Sequence, residues 1–123
     1  MALAGSSSSA TASTIWAIGD LHSDVQCARF WIQRTNLIGN LTVPETGEWL
    51  PRERWHWRDG HAHLVFLGDY IDKGPTARDT LALVRSVQER FPQYVTALLG
   101  NHELNLLIDR AKGRGEARYF DYV

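Results

Sequence analysis

The sequence has a single cysteine, little net charge and no long hydrophobic run, and each shortage excludes a class of protein. Cys27 has no partner within these 123 residues, which excludes an internal disulfide and favours a reducing compartment such as the cytoplasm. The formal net charge of −1 gives no general attraction to nucleic acid or to anionic membranes. No stretch reaches the roughly 18 apolar residues that a membrane span needs. We therefore expect a soluble globular protein without a nucleic-acid or membrane partner.

The first 14 residues are rich in serine and alanine and carry no charged side chain. They lack the basic region and long apolar core of a secretory signal, and the arginines of a mitochondrial presequence. We interpret residues 1–14 as a disordered leader. A chain of 123 residues is otherwise the length of about one small domain, so residues 15–123 are interpreted as one partial domain.

Apolar runs alternate with helical patterns along the rest of the chain. Runs rich in β-branched and aromatic residues predict strands at 14–18, 63–67 and 94–99. Amphipathic spacing predicts helices at 24–34, 76–90 and 104–111, the first of them capped by Asp24. With the insert described next, the order is β-α-insert-β-α-β-α, which favours an α/β fold with a parallel sheet and crossover helices.

Residues 36–62 break this alternation, and we interpret them as an insert over one rim of the functional site. The insert is rich in turn-forming residues and holds three of the five tryptophans, Trp49, Trp55 and Trp57. The segment 55–63 predicts a β-hairpin with Asp59-Gly60 as its turn. We expect the tryptophans to form a local aromatic core, in preference to a surface that stacks a base or peptide ring.

Each predicted strand is followed by a short motif that carries oxygen or imidazole ligands. The motifs are Gly19-Asp20-Leu21-His22, Gly68-Asp69-Tyr70-Ile71-Asp72 and Gly100-Asn101-His102-Glu103. Open α/β sheets bind their ligands at the carboxyl ends of the strands, so the motifs would meet at one edge. Carboxylate, amide and imidazole ligands without a thiolate suit Mn, Fe or Zn. The pattern therefore predicts a metal centre suited to phosphate-ester chemistry.

The residue types within the motifs predict which residues bind metal, which donate a proton and which bind phosphate. A carboxylate such as Asp69 can bridge two cations about 3.5–4 Å apart, which would clamp the attacking and leaving oxygens of a phosphoryl displacement. Asn101 can offer a metal its amide oxygen. His102 can protonate the leaving alkoxide while Asp72 holds its tautomer, and Lys73 offers a cation for a phosphate oxygen. Glu103, near a helix start, is interpreted as structural.

In this order the motifs resemble those of the calcineurin-like metallophosphoesterases, and more specifically the serine/threonine phosphoprotein phosphatase branch. That pattern is Gly-Asp-x-His-Gly, then Gly-Asp-x-Val-Asp-Arg-Gly, then Gly-Asn-His-Glu. The resemblance implies the N-terminal half of a β-sandwich flanked by helices, two divalent or trivalent metal ions and a phosphorylated substrate. Asp20 and His22 would hold the first metal, Asp69 would bridge, and Asn101 would hold the second metal. His102 and Asp72 would form the acid pair, and a metal-bound hydroxide would attack phosphorus.

The sequence departs from the family pattern in three ways. Ser23 replaces a glycine, and Lys73 replaces an arginine that forms bidentate hydrogen bonds with phosphate. Lysine cannot reproduce this bidentate geometry. The family also supplies further histidine ligands from a second half, and no histidine follows His102 here. We therefore expect residues 1–123 alone to be nearly inactive and to need the missing C-terminal half or a partner chain.

Three alternatives stay open at this point. Gly74-Pro75 and residues 99–107 look somewhat like the dinucleoside tetraphosphate hydrolases of the same superfamily. The chain is alternatively a truncated, non-catalytic half domain that binds metal weakly. A third interpretation, a regulatory binding module that uses the tryptophan-rich insert, is supported by composition alone.

Overall fold

The computed structural model describes residues 14–112, and its side chains are described up to residue 108. The predicted leader lies outside this range except for Thr14, which already belongs to a strand. In chain order the elements are β1 Thr14–Ile18, α1 Val25–Thr35, β2 Ile38–Gly39, a 3₁₀ turn Arg52–Arg54, β3 His56–Trp57, β4 Ala62–Phe66, α2 Ala77–Arg90, β5 Val95–Ala97 and α3 Asn101–Lys112. No helix in the described range is long and apolar enough to cross a membrane.

Strands β1, β4 and β5 form a parallel sheet with β4 in the centre. The β1–β4 register runs from Thr14 opposite Ala62 to Ile18 opposite Phe66, and β5 pairs with the second half of β4. The predicted α/β class is thereby confirmed. Because the three strands run in one direction, the motifs that follow them lie at one edge of the sheet. We call the end of the sheet at the carboxyl ends of the strands the motif edge, and the end at their amino ends the opposite edge.

The hydrophobic core lies on one face of this sheet, beneath α1 and α2. It is built from inward residues of the strands and of both helices, among them Ile18, Leu64, Phe66, Val95, Ala28, Ile32, Val84 and Val87. Alternate residues of the strands point away from it, and there Ile15 is 54% exposed. Leu67 and Leu98, which follow β4 and β5, are also exposed. The described part of the sheet therefore has one covered face and one open face, on which Ile15 is exposed and His63 is hydrogen-bonded to Thr96.

Helix α1 begins as predicted, because Asp24 Oδ1 accepts a hydrogen bond from Cys27 N–H at 3.0 Å. Helix α3 begins three residues earlier than predicted, at Asn101 rather than 104. One of its N-terminal N–H groups finds an acceptor in a distant loop, because His102 N–H donates to Asp69 Oδ1 at 3.1 Å. The acceptor Asp69 lies far away in the sequence and leaves no local signal, whereas the Glu103 carboxylate, which accepts from Gly100 N–H at 2.8 Å, is a local one.

The predicted β-hairpin in the insert is wrong. A turn does form at Asp59, whose carbonyl accepts from Ala62 N–H at 3.0 Å. The strands on its two sides pair elsewhere, however, because β3 pairs antiparallel with β2 while β4 enters the main sheet. The partner of β3 is a strand of two residues, Ile38–Gly39, which is too short for an alternating pattern to reveal.

The insert lies at the opposite edge, so its predicted position over a rim of the site is also wrong. Trp57 stacks on Tyr94 with ring centroids 5.1 Å apart, and Tyr94 lies in the turn that leads into β5. The Arg90 guanidinium, at the end of α2, donates to Trp55 O at 2.8 Å. Since α1 carries the chain away from the motif edge, a segment between α1 and β4 starts and ends at the opposite edge. The expected aromatic core does form there, with Trp49 edge-on to Trp55 at 6.0 Å.

Candidate metal centre

The first motif loop, residues 19–23, is held against the second, residues 68–74, by backbone hydrogen bonds. His22 N–H donates to Asp69 O at 2.9 Å, and Ser23 N–H donates to Tyr70 O at 2.6 Å. Asp20, His22 and Ser23 all have positive φ, between 43° and 63°. Left-handed backbone is costly for residues with a side chain and clusters at functional sites, where the surrounding structure enforces it. The two loops therefore form one rigid unit.

Ser23, which replaces the family glycine, combines a φ of +63° with full burial and a hydroxyl that has no hydrogen-bond partner within the described chain. Glycine removes both penalties at the expense of a more flexible unfolded chain. We expect Ser23→Gly to raise the free energy of unfolding by about 1 kcal/mol, measured by urea denaturation. The control Ser86→Gly, inside α2, should lower it by about 0.5 kcal/mol. Equal destabilisation by both changes would contradict this explanation.

Three of the predicted ligands are brought together at the motif edge. The ligand atoms of Asp20, His22 and Asp69 all lie within 4.8 Å of one another. The His22 Nδ1–H donates to Ile71 O at 3.2 Å, which leaves the Nε2 lone pair free on the side of Asp20, 4.0 Å from its Oδ1. A carbonyl partner of this kind fixes the tautomer of a metal-binding histidine. Two carboxylates and one oriented imidazole make this a suitable cation position.

Asn101 lies next to Asp69. In the orientation that satisfies both side chains, the Asn101 amide nitrogen donates to Asp69 Oδ1 and Oδ2, each at 3.1 Å. A second cation next to Asp69 would have Asn101 as a neighbouring ligand once the amide turns its oxygen toward the ion.

His102 and Asp72, the two residues predicted to act as a pair, are hydrogen-bonded in the structure. His102 Nδ1–H donates to Asp72 Oδ2 at 2.7 Å, and the Asp72 side chain is only 8% exposed. The His102 ring meets the His22 ring edge-on, with centroids 4.9 Å apart, so the pair lies beside the first cation position. Because Nδ1 is engaged by the carboxylate, Nε2 is the nitrogen that remains for proton transfer. Lys73 follows directly, exposed and with a φ of +72°.

Sequence reasoning undervalued two residues of the site. Glu103 was predicted to be structural through the helix N-terminus, yet its buried carboxylate accepts hydrogen bonds from four backbone N–H groups. Tyr70 was not singled out, although its hydroxyl donates to Leu98 O at 2.6 Å and ties the second loop to the end of β5. Burial, followed by the charge of Glu103, raises the pKa of Tyr70 well above its usual value, so the hydroxyl stays protonated.

The comparisons with known proteins agree with this geometry. The calcineurin-like phosphoesterase family model matches residues 13–122. The chain is 44% identical over 41 residues to the serine/threonine-protein phosphatase sitA of Aspergillus fumigatus, which is 33% of this chain and 11% of that protein. It is 36% identical over 45 residues to the serine/threonine-protein phosphatase SIT4 of Candida albicans, which is 37% of this chain and 14% of that protein. The matched segments thus span a small part of each relative's length. The family match extends over most residues of this chain and includes all three motif loops, so the chain belongs to the calcineurin-like phosphoesterase family.

Proposed function

We propose that this chain carries the metal-binding and proton-donating residues of a phosphatase that hydrolyses phosphoserine or phosphothreonine in proteins. The observation that carries the proposal is the His102–Asp72 pair, bonded at 2.7 Å, beside the cluster of Asp20, His22 and Asp69. A hydrogen-bonded imidazole next to a cation position is the arrangement that ester cleavage at phosphorus needs. The names of the two fungal relatives support a protein substrate.

In this proposal the ligands divide between two metal ions. Asp20 and His22 would hold one ion, Asn101 would hold the other, and Asp69 would be a ligand of both. The chemistry that such ions supply when bound is polarisation of phosphoryl oxygens and activation of water. The ligands suit Mn, Fe or Zn, because they combine oxygen and imidazole donors without a thiolate.

The chain's own residues would bind the phosphate and move the proton. His102 gives the proton on Nε2 to the leaving oxygen, while Asp72 holds Nδ1–H and stabilises the charged ring before transfer. The 2.7 Å bond and the burial of Asp72 keep the ring in one orientation. Lys73, next in the chain, is exposed and contributes positive charge to phosphate binding.

The lysine at this position makes a prediction about substrate affinity. Lysine is a point charge, whereas arginine binds two phosphate oxygens at once. We expect Lys73→Met to raise KM for a phosphopeptide roughly tenfold, the loss of one charged hydrogen bond, with a smaller change in kcat. Lys73→Arg should lower KM. Steady-state kinetics checks both, and Arg85→Met, on exposed α2, is the control. A KM that is the same for all three variants would remove Lys73 from the binding site.

The proposed function is tested by comparing two substrates. The native protein, purified with its metals, is assayed for phosphate release from a phosphoserine peptide and for cleavage of a symmetrical dinucleoside tetraphosphate. We expect peptide dephosphorylation that a chelator stops and that added Mn²⁺ restores. Preferential cleavage of the dinucleotide would support a dinucleoside tetraphosphate hydrolase activity instead. Peptide dephosphorylation that withstands exhaustive chelation would overturn the metal mechanism.

A further inference from the structure

We propose that Glu103 is a positioning residue that sets the separation of the two cation positions before any metal binds. The inference rests on the proposed function for the identity of the ligands. The contacts of Glu103 itself do not depend on a metal, because they are made to backbone groups of this chain.

Both oxygens of the Glu103 carboxylate are fully used. Oε1 accepts from Asp69 N–H at 2.7 Å and from Gly100 N–H at 2.8 Å. Oε2 accepts from Tyr70 N–H at 2.6 Å and from Ile71 N–H at 3.2 Å. The residue is only 6% exposed. Glu103 is therefore not available as a metal ligand, since both of its oxygens already accept hydrogen bonds from the backbone.

Three of these donors are successive N–H groups of the second motif loop. Consecutive N–H groups that converge on one point form a concave anion site, of the kind that often binds phosphate. Here Asp69 has a φ of +58°, which turns its own N–H and the next two toward the glutamate. The Glu103 carboxylate thus occupies this anion site. Its hydrogen bonds stabilise the left-handed backbone of the second motif loop at Asp69.

The fourth donor, Gly100 N–H, belongs to the third motif, so Glu103 joins two loops. The loops touch through their backbones: a side chain at Gly68 would collide with the backbone of Gly100, and one at Gly100 would collide with Asp69. His102 N–H adds a further bond between the loops by donating to Asp69 Oδ1 at 3.1 Å. One carboxylate therefore fixes Asp69 relative to Asn101, the two residues that define the second cation position.

The experiment replaces Glu103 with glutamine in the native protein and titrates metal. Glutamine has the same shape but one acceptor oxygen, so two of the N–H donors would face an NH₂ group. We expect E103Q to lose affinity for the second Mn²⁺ by about 10–100-fold, as for other groups that orient metal ligands, with a smaller change for the first. Calorimetry gives both affinities, and electron paramagnetic resonance reports whether the two Mn²⁺ ions remain magnetically coupled. The control is Glu48→Gln, exposed in the insert.

A residue with only a structural role would lower the melting temperature and weaken both metals equally, and that result would overturn the proposal. Kinetics provides a second readout: E103Q should lower kcat and leave KM for a phosphopeptide nearly unchanged. Unaltered second-metal affinity in a folded E103Q protein would also overturn it.

Amide hydrogen exchange in the unmutated, metal-free protein tests the proposal even if E103Q does not fold. The N–H groups of Asp69, Tyr70, Ile71 and Gly100 should be protected before metal is added. Exchange at the rate of unprotected amides would mean that Glu103 does not hold these N–H groups before metal binds. If the amides are protected but the protein takes up no metal, the hydrogen bonds to Glu103 are confirmed and the proposed function fails. The two failures are therefore distinguishable.

Discussion

In the native protein, Asp69→Asn is expected to lower kcat by more than about a thousandfold, the largest effect of any single change among these residues. Asparagine keeps the size of the side chain and an oxygen that can accept the His102 N–H, so the fold should persist. It removes the negative charge that the two proposed cation positions would share. Loss of charge stabilisation by a bridged metal pair is worth several kcal/mol in the transition state, which is about three powers of ten in rate.

The measurement for Asp69→Asn is kcat on a phosphopeptide together with metal content by mass spectrometry. Asp59→Asn is the matched control, because Asp59 lies in a turn at the opposite edge and asparagine retains the oxygen that accepts from His61 N–H. We expect the control to keep full activity and full metal content. An Asp69→Asn protein with wild-type turnover would refute the shared-ligand assignment.

His102→Asn is expected to lower kcat on an alkyl phosphoester about 10²–10⁴-fold and to leave metal binding intact. The imidazole is proposed to protonate the leaving oxygen, so its loss should matter most when that oxygen is strongly basic. With an aryl phosphate, whose leaving group departs without a proton, the loss should be much smaller. The comparison of the two substrates separates a proton donor from a residue that only supports the fold.

Asp72→Asn should reproduce most of the His102→Asn effect, because the two side chains act as a pair bonded at 2.7 Å. In the His102→Asn background, Asp72→Asn should add little further loss, since residues that act as a unit are non-additive. His56→Asn, exposed on β3 at the opposite edge, is the control for a histidine change. Equal losses on alkyl and aryl substrates would argue against the proton-donor role.

The parallel sheet and its helices could be predicted because their signals are local. The strand at 14–18 and the helix ending at Arg90 are recognisable from runs and spacing within a few residues. The pairing of β3 with β2 was missed because it depends on a strand of two residues and on partners far apart in sequence. The start of α3 at Asn101 was missed for the same reason, since its acceptor, Asp69, belongs to another loop.

The site shows the same division between local and non-local information. Strand order alone predicted that Asp20, His22 and Asp69 would converge, and the structure brings them together. Their roles in metal binding stay predictions. The importance of Glu103 could not be deduced from its position at a helix start, because three of its four donors come from a loop more than thirty residues away. Burial of a carboxylate, which signals such partners, is a property of the fold.

The placement of the tryptophans determines what intrinsic fluorescence can report. At the opposite edge Trp49 packs edge-on to Trp55 and Trp57 stacks on Tyr94, and the other two tryptophans are in β1 and α1. No tryptophan lies in a motif loop. Emission from this protein therefore follows the folding of the insert and of the first strand–helix pair, and it is a poor optical probe of events at the metal centre. A spectroscopic view of that centre requires a reporter there, such as cobalt in place of the native ion.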